Sequence, residues 1–410
     1  MRKFRQLPAA LVTLVLLVAA GCSSNGNSGG GGGESSKPLV IGASLPLSGD
    51  FSQPGEASHR GYEIWKDMVN KGGGLLGRQV QLKVVDDASD QNTVVADYNR
   101  LISQDKVDLV LGTFSSLLNI PASAVAERAR KVYVCPSCGS PDMFNRKFTH
   151  IFFAQPATAV HQADLFAQWV KGLSADQRPK TAAYPSQDDP FAKPVVDGVK
   201  SQLEAAGIKT VYSKVYPADT SNFDTIASGI KNAKPDVIVH GAVFEDGVGL
   251  VRSLVKAGYS PKAMFQTSAP SEGDQYSKGI GAANTEGIFY AVSWSPAAKY
   301  PLNQEFVQAY QSKYGGTPPE DAADGFAAAQ VLQAAVKAVG SLDQEKIADW
   351  LHNNKVDTIL GPLSWNEAGA PQQAFILAQW QSGEAQIVLP QDVATSQKIV
   401  FPKPNWGGQG

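Results

Sequence analysis

The chain has 410 residues, of which 43% are apolar and 18% charged, and its formal net charge is −2 at pH 7. That is an ordinary globular composition, long enough for more than one domain. The near-neutral balance supplies no electrostatic footprint for nucleic acid or for an acidic surface as a partner.

Arg2, Lys3 and Arg5 give the chain a basic start, and residues 7–20 form an uncharged, mostly apolar run. The run ends in Ala19-Ala20-Gly21-Cys22, and residues 23–36 are almost all Ser, Asn and Gly. A basic start, a short apolar stretch and small residues at the cut describe an export signal. The stretch is too short for a comfortable membrane span of roughly 20 residues. No later stretch is apolar enough to span a membrane. The segment resembles a bacterial lipoprotein signal, with Ala19 where Leu is usual. The resemblance implies a signal peptide at 1–21, a lipid on Cys22 that anchors the chain to the membrane, and a flexible tether over 22–36. The working protein is then 37–410, extracytoplasmic in the periplasm or at the cell surface. The alternative is a plain cleaved signal with Cys22 incidental.

Residues 37–44 read as a buried strand, and Pro46-Leu47-Ser48-Gly49 turns the chain. Gly61, Tyr62, Trp65 and Val69 place one apolar face on a helix over 58–69, stopped by Gly72-Gly73-Gly74. A strand at 80–85, a helical stripe through Val94, Tyr98 and Leu101, a strand at 107–111, a helix at 121–130 and a strand at 132–135 follow. The rhythm restarts with helices predicted at 159–171, 191–206, 223–232 and 247–257. Strands are predicted at 181–184, 211–215, 237–240, 263–266 and 288–292. Helices at 303–314 and 322–339 and strands at 375–380 and 387–389 complete the chain. Alternation of this kind with short connections predicts doubly wound parallel sheets in two α/β lobes.

Short segments spread along the chain carry a family resemblance. Ile41-Gly42-Ala43-Ser44-Leu45-Pro46-Leu47-Ser48-Gly49, Gly73-Gly74-Leu75-Leu76-Gly77-Arg78 and Val85-Asp86-Asp87-Ala88-Ser89-Asp90 are three of them. Asp108 to Ser116, Cys135 to Pro141 and Leu360-Gly361-Pro362-Leu363-Ser364-Trp365-Asn366 are the others. In this order and spacing they resemble the type I periplasmic binding proteins of the branched-chain amino acid (Leu/Ile/Val) transport family. The resemblance covers essentially the whole mature chain. It implies a two-lobed clamshell with three hinge crossovers, lobe 1 being 37–155 with 291–359 and lobe 2 being 156–290 with 360–410. It further implies an amino acid or related small organic acid or amide held in the cleft, and delivery to an ABC permease.

Ser115 and Ser116 precede a helix expected to start near Ile120 or Pro121, where unpaired backbone N–H groups favour an anion. By resemblance, Ser116 aligns with the serine that binds the ligand carboxylate, and the N–H groups of Cys138 and Gly139 with its partners. Turn and capping roles are the plain alternative for both serines. Phe51, Phe191 and Phe244 are candidate apolar walls, with Gln53 a polar candidate beside the first. Family members that take amino acids carry Thr where this chain has Gly139, and an acid after the strand at 263–266. Here that stretch reads Thr267-Ser268-Ala269-Pro270, and Glu272 looks out of register. An ammonium in a cleft needs a partner, so a ligand lacking an α-amino group is expected unless Glu245 or Asp246 supplies the acid.

Cys135 and Cys138 form a C-x-x-C pair, read as a local disulfide or two stiffening thiols. A redox enzyme is the rival from another class, although the first Cys ends a strand rather than opening a helix. A ligand sensor for a membrane receptor is the rival among binders. The five histidines show no metal spacing. Asp86-Asp87 and Asp188-Asp189 lie in turns where Asp caps. Neither a phosphate loop nor a G-x-S-x-G elbow occurs. No enzyme activity, cofactor or metal is therefore expected.

Overall fold

The structure, a computed structural model, describes residues 37–391 and 393–408. The leader, Cys22 and the tether lie outside the described residues. The first α/β unit runs through β1 (Leu39–Leu45), α1 (Ser52–Lys71), β2 (Val80–Asp86), α2 (Gln91–Ser103), β3 (Leu109–Leu111), α3 (Ser116–Arg128), β4 (Tyr133–Cys135) and β5 (Ile151–Phe153). The second opens with α4 (Asp164–Gly172), β6 (Thr181–Gln187), α5 (Ala192–Ala205), β7 (Lys209–Tyr216) and α6 (Asp224–Ala233). It continues with β8 (Val237–His240), α7 (Phe244–Ala257), β9 (Ala263–Gln266), α8 (Asp274–Ile280) and β10 (Ile288–Val292). Then come α9 (Asn303–Tyr314), α10 (Glu320–Val339), α11 (Gln344–Asn353), β11 (Val356–Thr358), β12 (Gly361–Leu363), β13 (Ile376–Gln381) and β14 (Glu384–Leu389).

The first sheet has strand order β2-β1-β3-β4-β5 and is parallel throughout. Side-chain alternation splits its strands between two cores. Leu109, Leu111, Val132 and Val134 face α1, α9, α10 and α11 on one side. Val110, Tyr133, Ile151 and Phe153 face α2 and α3 on the other. The second sheet has order β14-β13-β10-β9-β8-β6-β7 and is likewise covered on both faces. Its five strands from β10 to the β7 edge are parallel, but β13 and β14 run antiparallel to their neighbours. This corrects the expectation of a wholly parallel second sheet. Ser382 and Gly383 both have positive φ (53° and 82°), the two-residue turn that joins adjacent antiparallel strands.

The chain crosses between the two sheets three times: after β5, after β10 and beyond β12. Ala291 packs in a core on the second sheet, whereas Leu360, Leu363 and Trp365 pack in the core on the first. The helix expected over 159–171 is a single 3-10 turn (Ala159–His161) followed by α4. Strand β5 and helix α11 had no counterpart in the sequence reading.

Helix α10 is buried almost all round because it lies between α1 and the first sheet. The two helices meet backbone to backbone. A Cβ on Gly61 would stand 2.1 Å from the Ala322 carbonyl oxygen, and one on Gly325 would stand 2.5 Å from that of Ser58. Alanine raises helix propensity over glycine by about 1 kcal/mol, yet Gly61→Ala is expected to destabilise by about 1–3 kcal/mol through overpacking. Denaturant unfolding of this variant checks the point; a neutral or stabilised variant would show that the helices have room to part.

Candidate functional site

Open α/β sheets place their sites beyond the carboxyl ends of the strands. Here the loops after β3 and β4 meet those after β6, β8 and β9 around a cleft of about 610 Å³ of empty space, open solvent at its mouth included. Ser115 holds φ 63° and ψ 151°, a backbone region costly for any residue with a side chain. Its hydroxyl is buried in the cleft wall without a partner among the described residues.

Helix α3 begins at Ser116, earlier than expected, and Pro121 lies inside it. The reason is Asn119. Its side-chain amide donates to the carbonyls of Thr113 (2.7 Å), Ser115 (2.8 Å) and Ser137 (3.0 Å), while its oxygen accepts from the Tyr133 hydroxyl at 2.6 Å. One buried side chain thus fixes both ligand-facing loops and the start of the helix. Ser116 Oγ adds a second tie by accepting from the Ser140 N–H at 3.0 Å. Cys135 and Cys138 form a disulfide with Cα atoms 6.0 Å apart. Both cysteines are fully buried, and exchange requires a thiolate to reach a sulfur. The bridge therefore holds the loop and does not present itself for redox turnover.

On the opposite side Asp189 accepts from the N–H groups of Phe191 (2.8 Å) and Ala192 (2.9 Å), capping α5. That cap turns Phe191 into the cleft, where it joins Phe114, Phe153 and Phe375 as apolar walls. Thr267, Ser268 and Ser271 add hydroxyls beyond β9.

The largest departure from the sequence reading is an acid cluster. Glu320, Asp321 and Asp324, in the first turns of α10, line the cleft. Ser293 donates its N–H to Glu320, and its Oγ lies 2.8 Å from Glu320 and 2.7 Å from Asp324, donating its one proton to one carboxyl and accepting from the other. Gln155 Nε2 donates to the other Asp324 oxygen at 2.6 Å. Asp321 pairs directly with Glu272, carboxyl to carboxyl. Burial pushes Asp321 and Asp324 well above the usual carboxylate range, raises Glu320, and lifts Glu272 to about 7. Two carboxyls in contact cannot both be ionised cheaply, so the Asp321–Glu272 pair retains a proton.

Of the residues expected at the site, Ser115, Ser116, Gly139 and Phe191 line the cleft. Cys138 sits in the wall between Ser137 and Gly139, which do. Phe51 is buried behind the wall, edge-on to Phe114 at 5.8 Å between ring centroids. Gln53 reaches across to Glu272, with Nε2 to Oε2 at 2.7 Å. Phe244 opens α7 and packs into a core on the second sheet, and Glu245 is exposed, so neither is among the cleft-lining residues. Asp246 is buried beside the Tyr216 hydroxyl and burial lifts it to about 7, but it too stands outside that lining. The acid sought after β9 exists in Glu272, which reaches the cleft acids through a 3-10 turn (Ala269–Glu272). Glu320, Asp321, Asp324, Gln155 and Gln162 were missed, because acids at a helix start read as dipole partners.

Two α/β lobes facing each other across a cleft of hydroxyls, aromatics and carboxyls define a solute-binding protein. Residues 38–385 match the family model described as periplasmic binding protein. The chain belongs to that family, whose members are non-enzymatic extracytoplasmic binders. It is 27% identical over 351 residues to Leu/Ile/Val-binding protein homolog 3 of Brucella melitensis, covering 84% of this chain and 92% of that one. A leucine-binding protein structure from Thermotoga maritima superposes with TM-score 0.76 at 20% identity, covering 87% of this chain and 100% of the other. An ABC transporter solute-binding protein from R. palustris, in complex with benzoate, gives TM-score 0.76 at 20% identity, covering 91% and 99%.

The buried acids make a prediction about the unliganded protein. Glu272 and Asp246 rise to about 7 and Asp87 to about 6, all by burial. A carboxyl with a raised folded-state pKa contributes stability that is fully present below its unfolded value and lost as pH rises through the folded one. Two histidines lowered by burial, His240 and His59, oppose this in part. The unfolding midpoint is expected to fall between pH 5 and pH 7, and to fall less in Asp246→Asn. A flat or rising midpoint over that window would show these carboxyls already ionised at pH 5 in the fold.

Proposed function

We propose that this protein is the substrate-binding lipoprotein of an ABC importer. It captures an amino acid or a related small organic acid or amide in the interlobe cleft and delivers it to a membrane permease. One observation carries the reading: the loops Ser115–Ser116 and Ser137–Gly139 of one sheet converge with Phe191 and Thr267–Ser271 of the other on a single cleft. Ligand bridging both sides favours closure by its differential affinity for the closed state. The hinge strands are the three crossings, and the lobes follow the two sheets. The Ser116 end, with its helix N-terminus and hydroxyls, suits a carboxylate or amide oxygen. The acid end suits an ammonium or amide N–H. Leu/Ile/Val-binding relatives support an amino acid; the benzoate complex and the four phenylalanines support an aromatic acid as second reading.

Cys22 supplies the anchor in this reading, and the tether separates the lobes from the bilayer. Thermal unfolding against α-amino acids, their des-amino acids and small amides tests the binding role. A true ligand at a hundredfold its Kd adds about 2.7 kcal/mol of stability, and Ser116→Ala should weaken that shift. A panel with no shift at all would remove the binding reading. The anchor has its own measurement: radiolabelled fatty acid is expected in the wild type and lost in Cys22→Ala, and an unlabelled wild type would leave a plain export signal.

A further inference from the structure

The charge inventory of the cleft is one-sided. Asp189, Glu320, Asp321 and Asp324 line it, and Glu272 pairs with Asp321 behind them. Among the described residues no Lys, Arg or His lines the cleft. Tyr290, packed beside Glu320, is held neutral by burial. Among the described residues the donors to these acids are neutral: the N–H groups of Phe191, Ala192 and Trp294, Ser293, Ser271, Gln155 and Gln53, beside the Asp321–Glu272 pair itself. A buried carboxylate with neutral partners alone either keeps its proton or awaits a cation.

Two further side chains in the same wall point to a ligand independently of the acids. Among the described residues the Gln162 Oε1 and the Ser115 hydroxyl have no partner, although the two residues are only 8% and 7% exposed. An unpaired buried acceptor is costly, and Gln162 offers one to a ligand N–H. The phenylalanine faces add walls that attract cations as well as apolar stems.

We propose that the cleft ligand is an organic cation: a small molecule carrying at least one more ammonium or guanidinium group than carboxylate, held between the α10 acids, Gln162 and the phenylalanines. This rests on the cleft-binding reading above and names its substrate class. A zwitterion or an anion brings no net positive charge and leaves the cleft acids holding their protons, whereas a cation lets them ionise. Two sources share the chemistry, a basic amino acid and an amine without a carboxylate. The Ser115–Ser116 end tells them apart, since only the first gives that end an oxyanion.

The test is a matched series on the purified protein by isothermal titration calorimetry: lysine, norleucine, 1,5-diaminopentane and hexanoate, with arginine, agmatine, leucine and benzoate beside them. Lysine and norleucine differ by one ammonium, and lysine and the diamine by one carboxylate. The expected result is that the cations bind at least about tenfold more tightly than their neutral or anionic counterparts. Binding at pH 7 in buffers of different ionisation enthalpy should show protons released, because a cation drives the raised carboxyls to ionise. Asp324→Asn should cost the cations about tenfold or more and spare norleucine; proton release in the wild type reads the same point should that variant fold poorly. Tighter binding of norleucine, leucine, hexanoate or benzoate, or proton uptake on binding, would overturn the cation proposal and leave the binding function standing. Silence across the whole series overturns the cation proposal, and the binding reading falls with it only if the thermal panel of amino acids, acids and amides is silent as well.

Discussion

The contact on which the rest of the molecule depends is the one between α1 and α10. Gly61 and Gly325 let the two backbones touch, with no Cβ in between. The pair closes the core on one face of the first sheet and includes Trp65, Phe326 and Leu332. It also fixes the direction of α10, whose first turns carry Glu320, Asp321 and Asp324 into the cleft. Packing deep in one lobe therefore sets the charge at the binding surface. The trp indole at Trp65 bonds Gln333 Oε1 at 2.8 Å, locking the register of the same helix pair.

A second constraint acts on the loops. Their carbonyls converge on Asn119, and the strained Ser115 is held in place by the groups around it. Strain of this kind persists only when neighbours over-determine it. The disulfide between Cys135 and Cys138 adds a covalent limit to the second loop. Pre-organisation of this sort lowers the ordering cost of binding. It also explains how the Ser115 hydroxyl can stand buried at the wall unsatisfied among the described residues: the loop is not free to fold back.

Much of the architecture was legible in the sequence. The strands at Val237–His240, Ala263–Gln266 and Ile288–Val292 and the helix at Asn303–Tyr314 are bounded by apolar periodicity and turn residues, and the structure keeps those bounds. Helix starts were less legible. α3 begins at Ser116 and α7 at Phe244, each earlier than the apolar pattern indicates, because Asn119 and the loop packing extend them. The edge hairpin was hidden because Ser382-Gly383 is a weak turn signal until its φ values are known. At the site, Ser116, Gly139 and Phe191 came from motif positions, while the acids came from three-dimensional convergence. Glu272 and Asp321 are 49 positions apart in the chain yet share a proton. Nothing in a linear pattern marks such a pair, and acids at the start of α10 look like ordinary helix-dipole partners.

The hydrogen bond from Gln53 on α1 to Glu272 beyond β9 joins the two lobes without any ligand atom. A bond of this type stabilises the closed form of the empty protein as well as the loaded one. Apparent affinity scales with the fraction of molecules already in the binding-competent state, so the contact tightens capture. The same contact narrows the difference between the empty and the loaded shapes. Since Glu272 also pairs with Asp321, its ionisation couples that conformational bias to the charge in the cleft. How far an empty clamshell imitates a full one then depends on a single glutamine.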